Sequence, residues 1–510
     1  MARRPKPDRR PAVRVAAAGV IVLLAAACSS GHGERSSPAT AGTEPVTSAT
    51  TAPTTSATAP ATSPARTVPA DESSTWTTYA NGNARLGVAA TQASLSPIHL
   101  AWQAPLDRAA VYAQPIVVDG RIIVATENDD VYALNPRDGR VLWSLNIGHP
   151  LIDVGAQAGC GDVDPLGITS TPVADARTGT VFVVGEVSSV GSPPVHHELV
   201  GIDVTTGRIT QERDADPPLP GGENPVHLLQ RAALALGSGI VYIGYGGNYG
   251  DCGNYHGWVV GVNESAGAGL NGRPAAALRA FDTTPDSSGG AVWMGGGGPS
   301  IDAAGNLYIT TGNTNSSGPA PWSEAIVKLG ADLSPTPLAS FQDSTASDDE
   351  DLGTGDATLL PNGDVFAVGK TNHGYLLRQS DLAQVAALNG RVCDSDPDGG
   401  EAYDAATASL YVPCRGGGIR QINLSSLSLG WLASGANSTP ILVDGVLWAL
   451  DYPGGTLEAI NPATGSVEQE IGVGGSVPNF ASPAAALGLI LVGTNAGIVA
   501  LDGPAGPPSG

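Results

Sequence analysis

The chain has 510 residues, only 14% of them charged, and a formal net charge of −23. So acidic a body lacks the basic footprint that a phosphate backbone requires, which excludes nucleic-acid binding. Glycine (68) and proline (40) are frequent enough to punctuate many short turns, and the length suits one large all-β ring.

The N-terminus reads as a targeting segment. Arg3, Arg4, Lys6, Arg9, Arg10 and Arg14 precede a short apolar run, Val15–Leu24, and then Leu24-Ala25-Ala26-Ala27-Cys28-Ser29. The run is too short to span a bilayer. Small residues ending in cysteine resemble the lipobox of bacterial lipoproteins, which makes Cys28 the expected lipidation site. The alternative is an ordinary signal peptide cut near the same alanines. Removing residues 1–27 leaves 19 basic and 47 acidic residues, a formal charge of −28. Residues 28–74 are rich in Ser, Thr, Ala and Pro with no apolar periodicity, so they read as a tether. The Ala- and Gly-rich composition suggests a high-GC actinobacterial source. The expected organisation is therefore signal peptide 1–27, tether 28–74, folded body 75–506 and tail 507–510. The address is the outer face of the cell membrane, or outside the cell if Cys28 is not lipidated.

The folded body is organised around residues 113–148. Gln114–Asp119 is a first strand, closed by the Asp119-Gly120 hairpin signal. Ile122–Thr126, Val131–Leu134 and Arg140–Ser144 follow as second, third and fourth strands, with the turn Asn135-Pro136-Arg137-Asp138-Gly139 before the last. One such meander cannot bury both of its apolar faces, and copies of it recur. Second strands are expected at Val181–Gly185, Ile240–Gly244, Leu307–Thr311, Val365–Gly369, Leu410–Pro413, Val446–Leu450 and Leu489–Gly493. Their starts lie roughly 36 to 67 residues apart, a period that suits propeller blades with loop insertions. First strands recur within 170–175, 232–236, 438–444 and 481–486, and turns like that at 135–139 return at 203–207 and 461–465. The eighth unit stops after its third strand. His99–Leu106, with Trp102 placed like Trp143, supplies the missing fourth. The predicted fold is all-β, an eight-bladed β-propeller of four-stranded antiparallel blades, its ring closed by an N-terminal strand that completes the last blade. Closure hides two sheet edges.

First strands of a propeller line its channel, and the connecting loops form one binding face. His227, Gln230 and Arg231 precede a first strand and are candidate ligand-face residues. His196-His197-Glu198 reads as an exposed turn, and Asp348-Asp349-Glu350-Asp351 as a solvated acidic loop with a calcium loop as the alternative. With Cys28 assigned to lipid, Cys160, Cys252, Cys393 and Cys414 remain for an oxidising compartment. Of the three possible pairings, Cys393–Cys414 spans a hairpin-sized segment and Cys160–Cys252 joins two insertions. No CxxC is present, which argues against zinc.

The segment GGAVWMGGGGPSIDAAGNLYITTGN (289–313), followed by PAPW (319–322), resembles the quinoprotein alcohol dehydrogenases, eight-bladed propellers that bind pyrroloquinoline quinone (PQQ) and calcium. The resemblance implies that Trp293 stacks on the quinone and Asn313 ligates calcium, with Trp322 in the family's PAPW position. VGKTNHGYLL (368–377) is similar to the family's K-x-G-x-x-Y strand and implies a quinone contact for Lys370. GDCGNYHGWVVGV (250–262) resembles the stretch with a calcium-ligating glutamate. Asp251 stands near that place, one residue out of register. The family's adjacent cysteine pair has no counterpart, and its catalytic aspartate falls near Gly330, with Asp332 two residues late. No catalytic residue is therefore assigned.

Two functions follow. The first is a membrane-tethered, monomeric propeller that binds a cell-envelope protein, a glycan or another small molecule without catalysis. Its quinone-type site is degenerate; propellers with such repeats can be non-catalytic, as is the lipoprotein of the outer-membrane protein assembly machinery. The alternative is a divergent PQQ-dependent dehydrogenase of the cell envelope.

Overall fold

A computed structural model describes residues 75–89, 95–265, 278–315, 320–347, 349–433, 435–504 and 506. Cys28, the tether and Asp348 lie outside the described residues. Eight four-stranded antiparallel blades surround one axis. Blade 1 consists of Ile116–Val118, Arg121–Ala125, Asp130–Leu134 and Val141–Asn146, running from the channel outwards. The inner strands of blades 2 to 8 are Val173–Asp175, Ala235–Gly237, Ser300–Ile301, Thr358–Leu359, Ala402–Asp404, Ile441–Val443 and Ala484–Ala486. In blade 3 the strand begins at Ala235 rather than Ala232, because the Ala233 N–H is drawn to the Gly297 carbonyl, at 2.7 Å.

The ring closes as the repeat count requires. His99–Ala104 pairs antiparallel with Gly497–Asp502, His99 opposite Asp502 and Ala104 opposite Ile498. The middle strands carry near-continuous apolar runs because neighbouring blades cover both of their faces. The outermost strands alternate, as Val141–Asn146 does, because one face meets water.

The recurring turn has a packing role. Trp102 of blade 8 donates its indole N–H to the Pro136 carbonyl (2.9 Å), Trp143 of blade 1 donates to Val204 (2.9 Å), and Trp431 of blade 6 donates to Pro462 (3.2 Å). Each indole lies over the turn glycine of the next blade. At Gly207 (φ +70°) an added Cβ would fall 2.7 Å from the Trp143 ring. Gly207→Ala therefore meets both a left-handed backbone and a ring that cannot withdraw. It is expected to destabilise the protein by about 2–3 kcal/mol, read from a denaturant midpoint. An unchanged midpoint would mean that the indole is free to move.

One feature has no counterpart in the repeat. Residues 76–88 run around the inside of the channel and bond to the free edges of the inner strands, blade after blade. Trp76 exchanges both backbone hydrogen bonds with Val117 of blade 1 (2.9 and 2.8 Å), and the Thr77 carbonyl accepts from Ala174 of blade 2 (2.8 Å). The Thr78 hydroxyl donates to the carbonyl of Leu234, next to the inner strand of blade 3 (3.0 Å). The carbonyls of Asn83, Ala84, Leu86 and Gly87 accept from Ile301, Leu359, Tyr403 and Leu442 of blades 4 to 7. Val88–Ala89 then pairs parallel with Ile441–Val443. Blade 8 is reached through Gln114, whose amide oxygen accepts from the Trp76 indole and the Ala80 N–H while its nitrogen donates to Ser482 and Pro483. Trp76, Tyr79 and Arg85 are fully buried, so this segment fills the channel.

The face that carries the blade-to-blade connections is built up most over blades 2 and 3. His149–Pro150 lengthens the sheet of blade 2 and Leu228–Leu229 that of blade 3. The structure pairs Cys160 with Cys252 across the insertions of these two blades, and Cys393 with Cys414 in blade 6. His196–Glu198, read as an exposed turn, lies instead within the strand Val195–Asp203, paired with Thr180–Ser188. His197 is fully buried there, its Nδ1 2.8 Å from Asp216. Gly191, Pro193 and Pro194 place the turn earlier, at 189–194, so Val195 already begins the next strand of blade 2. Among the described residues no helix is long and apolar enough to cross a membrane.

Candidate functional site

The loop face over blades 3 to 5 gathers most of the residues singled out by motif. Gly289 and Gly290, both at positive φ, turn the chain so that Trp293 comes up half-buried at the channel mouth. Its ring meets Phe480 edge-on at 5.5 Å, and Phe480 lies 5.8 Å from Tyr452. Asn313 follows the second strand of blade 4. Its carbonyl accepts from Gly290 (2.7 Å) and its N–H donates to Asp351 (2.7 Å). Lys370 follows the second strand of blade 5, and its ammonium lies 2.7 Å from both Asp349 and Asp351. Burial opposes that charge, but the Asp351 and Asp349 carboxylates outweigh it and hold the ammonium above the ordinary lysine range.

Asp351 therefore joins Asn313 to Lys370. As part of an acidic run it reads as solvated, yet it is buried, because Leu352 beside it packs into the core of blade 5. The neighbouring carboxylates go elsewhere: Glu350 accepts from Ser347 and Asp349 from Lys370. Nearby Glu324 accepts the Leu352 N–H, and burial pushes it up to about 8. Asp251 is exposed and accepts the Tyr255 hydroxyl; Tyr255 also feels the charge of Asp351. Trp322 is not at the mouth. It packs on Phe281, at 5.1 Å, in the core of blades 3 and 4.

The three ligand-face candidates separate. The His227 ring lies against Gly253 in the disulfide-braced insertion. Gln230 donates to its own blade, at Ala232 (2.7 Å) and Gly244 (3.3 Å). Only Arg231 crosses the channel, from blade 3 to the carbonyls of Asn479 and Phe480 before blade 8. Below it lie residues that no motif marks. Arg85 sits beside Asp356, whose carboxyl burial pushes up to about 7 against that charge. The Tyr79 hydroxyl bonds Thr439 (2.7 Å). A lone arginine in a run of small residues was the one sequence signal for this layer.

The family described as outer membrane protein assembly factor BamB matches residues 88–235. Among solved structures, quinohemoprotein alcohol dehydrogenase from Comamonas testosteroni superposes with a TM-score of 0.64 at 15% identity, over 86% of this chain and 82% of that one. A europium-containing methanol dehydrogenase gives 0.64 at 15%, over 82% and 90%. BamB from Moraxella catarrhalis gives 0.52 at 12%, over 79% and 99%. The chain shares the eight-bladed propeller fold of these proteins. No curated protein matches its sequence, and at these identities the likeness is one of fold.

Several of the residues that would hold a calcium-bound quinone are engaged by protein groups in this structure. Lys370 is held by two carboxylates, the Asp251 carboxylate is taken by Tyr255, and Phe480 packs against Trp293. Among the described residues no three His, Cys, Asp or Glu side chains converge on a point that could hold a metal ion.

Proposed function

We propose that the protein is an extracytoplasmic binding propeller, anchored through lipid on Cys28, that presents its loop face to a cell-envelope protein or a small-molecule or glycan ligand and does no quinone chemistry. The observation that carries this reading is the Asn313–Asp351–Lys370 chain, at 2.7 Å for each bond. Lys370, the implied quinone contact, is held by carboxylates, and Asp351 also accepts the Asn313 backbone N–H. The match to an assembly-factor family supports a partner-binding role, and the two disulfides support an oxidising compartment.

The test is a titration of the purified protein with PQQ and calcium, followed by gel filtration read at the quinone absorbance. No quinone is expected to co-elute. Stoichiometric retention, abolished in Trp293→Ala and Asn313→Ala, would overturn the reading in favour of a divergent PQQ-dependent dehydrogenase.

A further inference from the structure

Two arginines lie inside the channel, and they differ in what holds them. Arg85 donates from Nε to Gly298 (3.3 Å), from Nη1 to Tyr79 (2.9 Å) and Thr78 (3.0 Å), and from Nη2 to Leu234 (3.3 Å) and Pro299 (2.9 Å). Every arm of that guanidinium is bonded, so Arg85 braces the fold. Arg231 is 4% exposed, yet only its Nη2 reaches acceptors, the carbonyls of Asn479 and Phe480, each at 3.5 Å. It forms no ion pair with a described carboxylate. Glu127 and Asp162 attract its charge from nearby, yet neither bonds it, so the guanidinium keeps donors to spare for an anion.

Its surroundings define what that could be. Arg231 reaches the carbonyls of exposed Asn479 and half-buried Phe480, and the Phe480 ring meets half-buried Trp293. Its Cζ is 5.9 Å from the Tyr112 ring centroid. The guanidinium lies flat against Gly296 (φ +87°), where an added Cβ would come within 2.6 Å of Nη2. Two more buried polar atoms, the Tyr452 hydroxyl and Glu127 Oε1, have no hydrogen-bond partner in the protein. Both residues feel the charge of Arg231.

We propose that Arg231 anchors a small monocarboxylate with a flat apolar body, which enters from the loop face. The planar fork of a guanidinium matches a carboxylate bidentately. The rings of Tyr112, Phe480 and Trp293 supply a wall for a flat ligand. Tyr452 and Glu127 offer a second polar edge. Asp162 nearby, in a chain this acidic, opposes any ligand with several negative charges. This proposal rests on the loop face being a binding face, and it needs neither quinone nor metal.

Benzoate is the probe and benzamide its neutral counterpart, each titrated into the full-length protein and followed by tryptophan fluorescence and by saturation transfer to the probe. Benzoate is expected to saturate, with benzamide about tenfold weaker or worse. Arg231→Gln is expected to weaken benzoate by about tenfold while leaving benzamide unchanged. Should that variant fail to fold, Tyr452→Phe, expected to weaken benzoate several-fold, and the benzoate-to-benzamide ratio of the natural protein decide the matter. Equal affinity for the two probes, no saturation by benzoate, or tighter binding of inorganic phosphate overturns the proposal. Quinone retention is read in a separate experiment, so a failure here leaves the binding-propeller reading standing, and a failure there is recognised by its own signal.

Discussion

A chain shortened to begin after Ala89 is expected to lose its cooperative unfolding transition, although every blade is still encoded in it. The segment removed bonds the inner edges of blades 1 to 7 and, through Gln114, reaches blade 8. Without it those edges face an open channel, and buried backbone groups left unpaired are strongly unfavourable. Trp76 and Tyr79 are also lost, both buried to within 1% of completely. Truncating one such side chain costs about 3–5 kcal/mol, against a total stability of about 5–15 kcal/mol for a folded domain. Asp356 would further lose Arg85, the cation beside it. The single substitution Trp76→Ala, which also removes one of the two donors to the Gln114 amide oxygen, should lower stability by about 4 kcal/mol. Calorimetry and limited proteolysis of both proteins check this. A shortened chain that melts as a single transition at the original temperature would show that the ring closes without its channel segment.

Stability is expected to fall as pH rises from about 4 to about 7, the reverse of simple acid denaturation. Burial pushes Glu127 up to about 7, against hydrogen bonds from Gly167 and Thr169. It pushes Asp356 up to about 7 against Arg85, and Asp398 up to about 7 against Arg415. In each case the folded protein holds a proton that the unfolded chain releases near pH 4. Below that pH both states are protonated and the groups contribute nothing. As pH climbs from the unfolded to the folded value the native state binds more protons than the unfolded one, so stability declines, and above about pH 7 the loss is complete. With three groups titrating together the slope reaches up to about 4 kcal/mol per pH unit. Melting temperatures recorded across this range should drop by several degrees per unit, and Asp356→Asn should remove about a third of the slope. A melting temperature that rises between pH 4 and pH 7 would mean that these carboxyls are ionised in the folded protein.

The count of blades, their order and the way the ring closes were legible from the residues alone. Short apolar strands, separated by turns such as 135–139, 203–207 and 461–465, are local signals, and a propeller repeats them. The same turns proved to be seats for Trp102, Trp143 and Trp431, so turn chemistry and blade packing agree. Trp293, Asn313 and Lys370 could be picked out because they belong to contiguous motifs. What a motif cannot say is which partner each side chain finds across the channel. Asp351 looked solvated in a row of carboxylates and is instead the link between Asn313 and Lys370. His197 looked exposed and is buried because blade 2 is long. The channel segment has no periodicity of its own, since its hydrogen bonds go to seven different blades rather than to one neighbouring strand. Periodicity reports which face of an element is buried. Only closure of the ring, which brings Arg231 of blade 3 up to residues before blade 8, decides which buried charges are paired and which are left over.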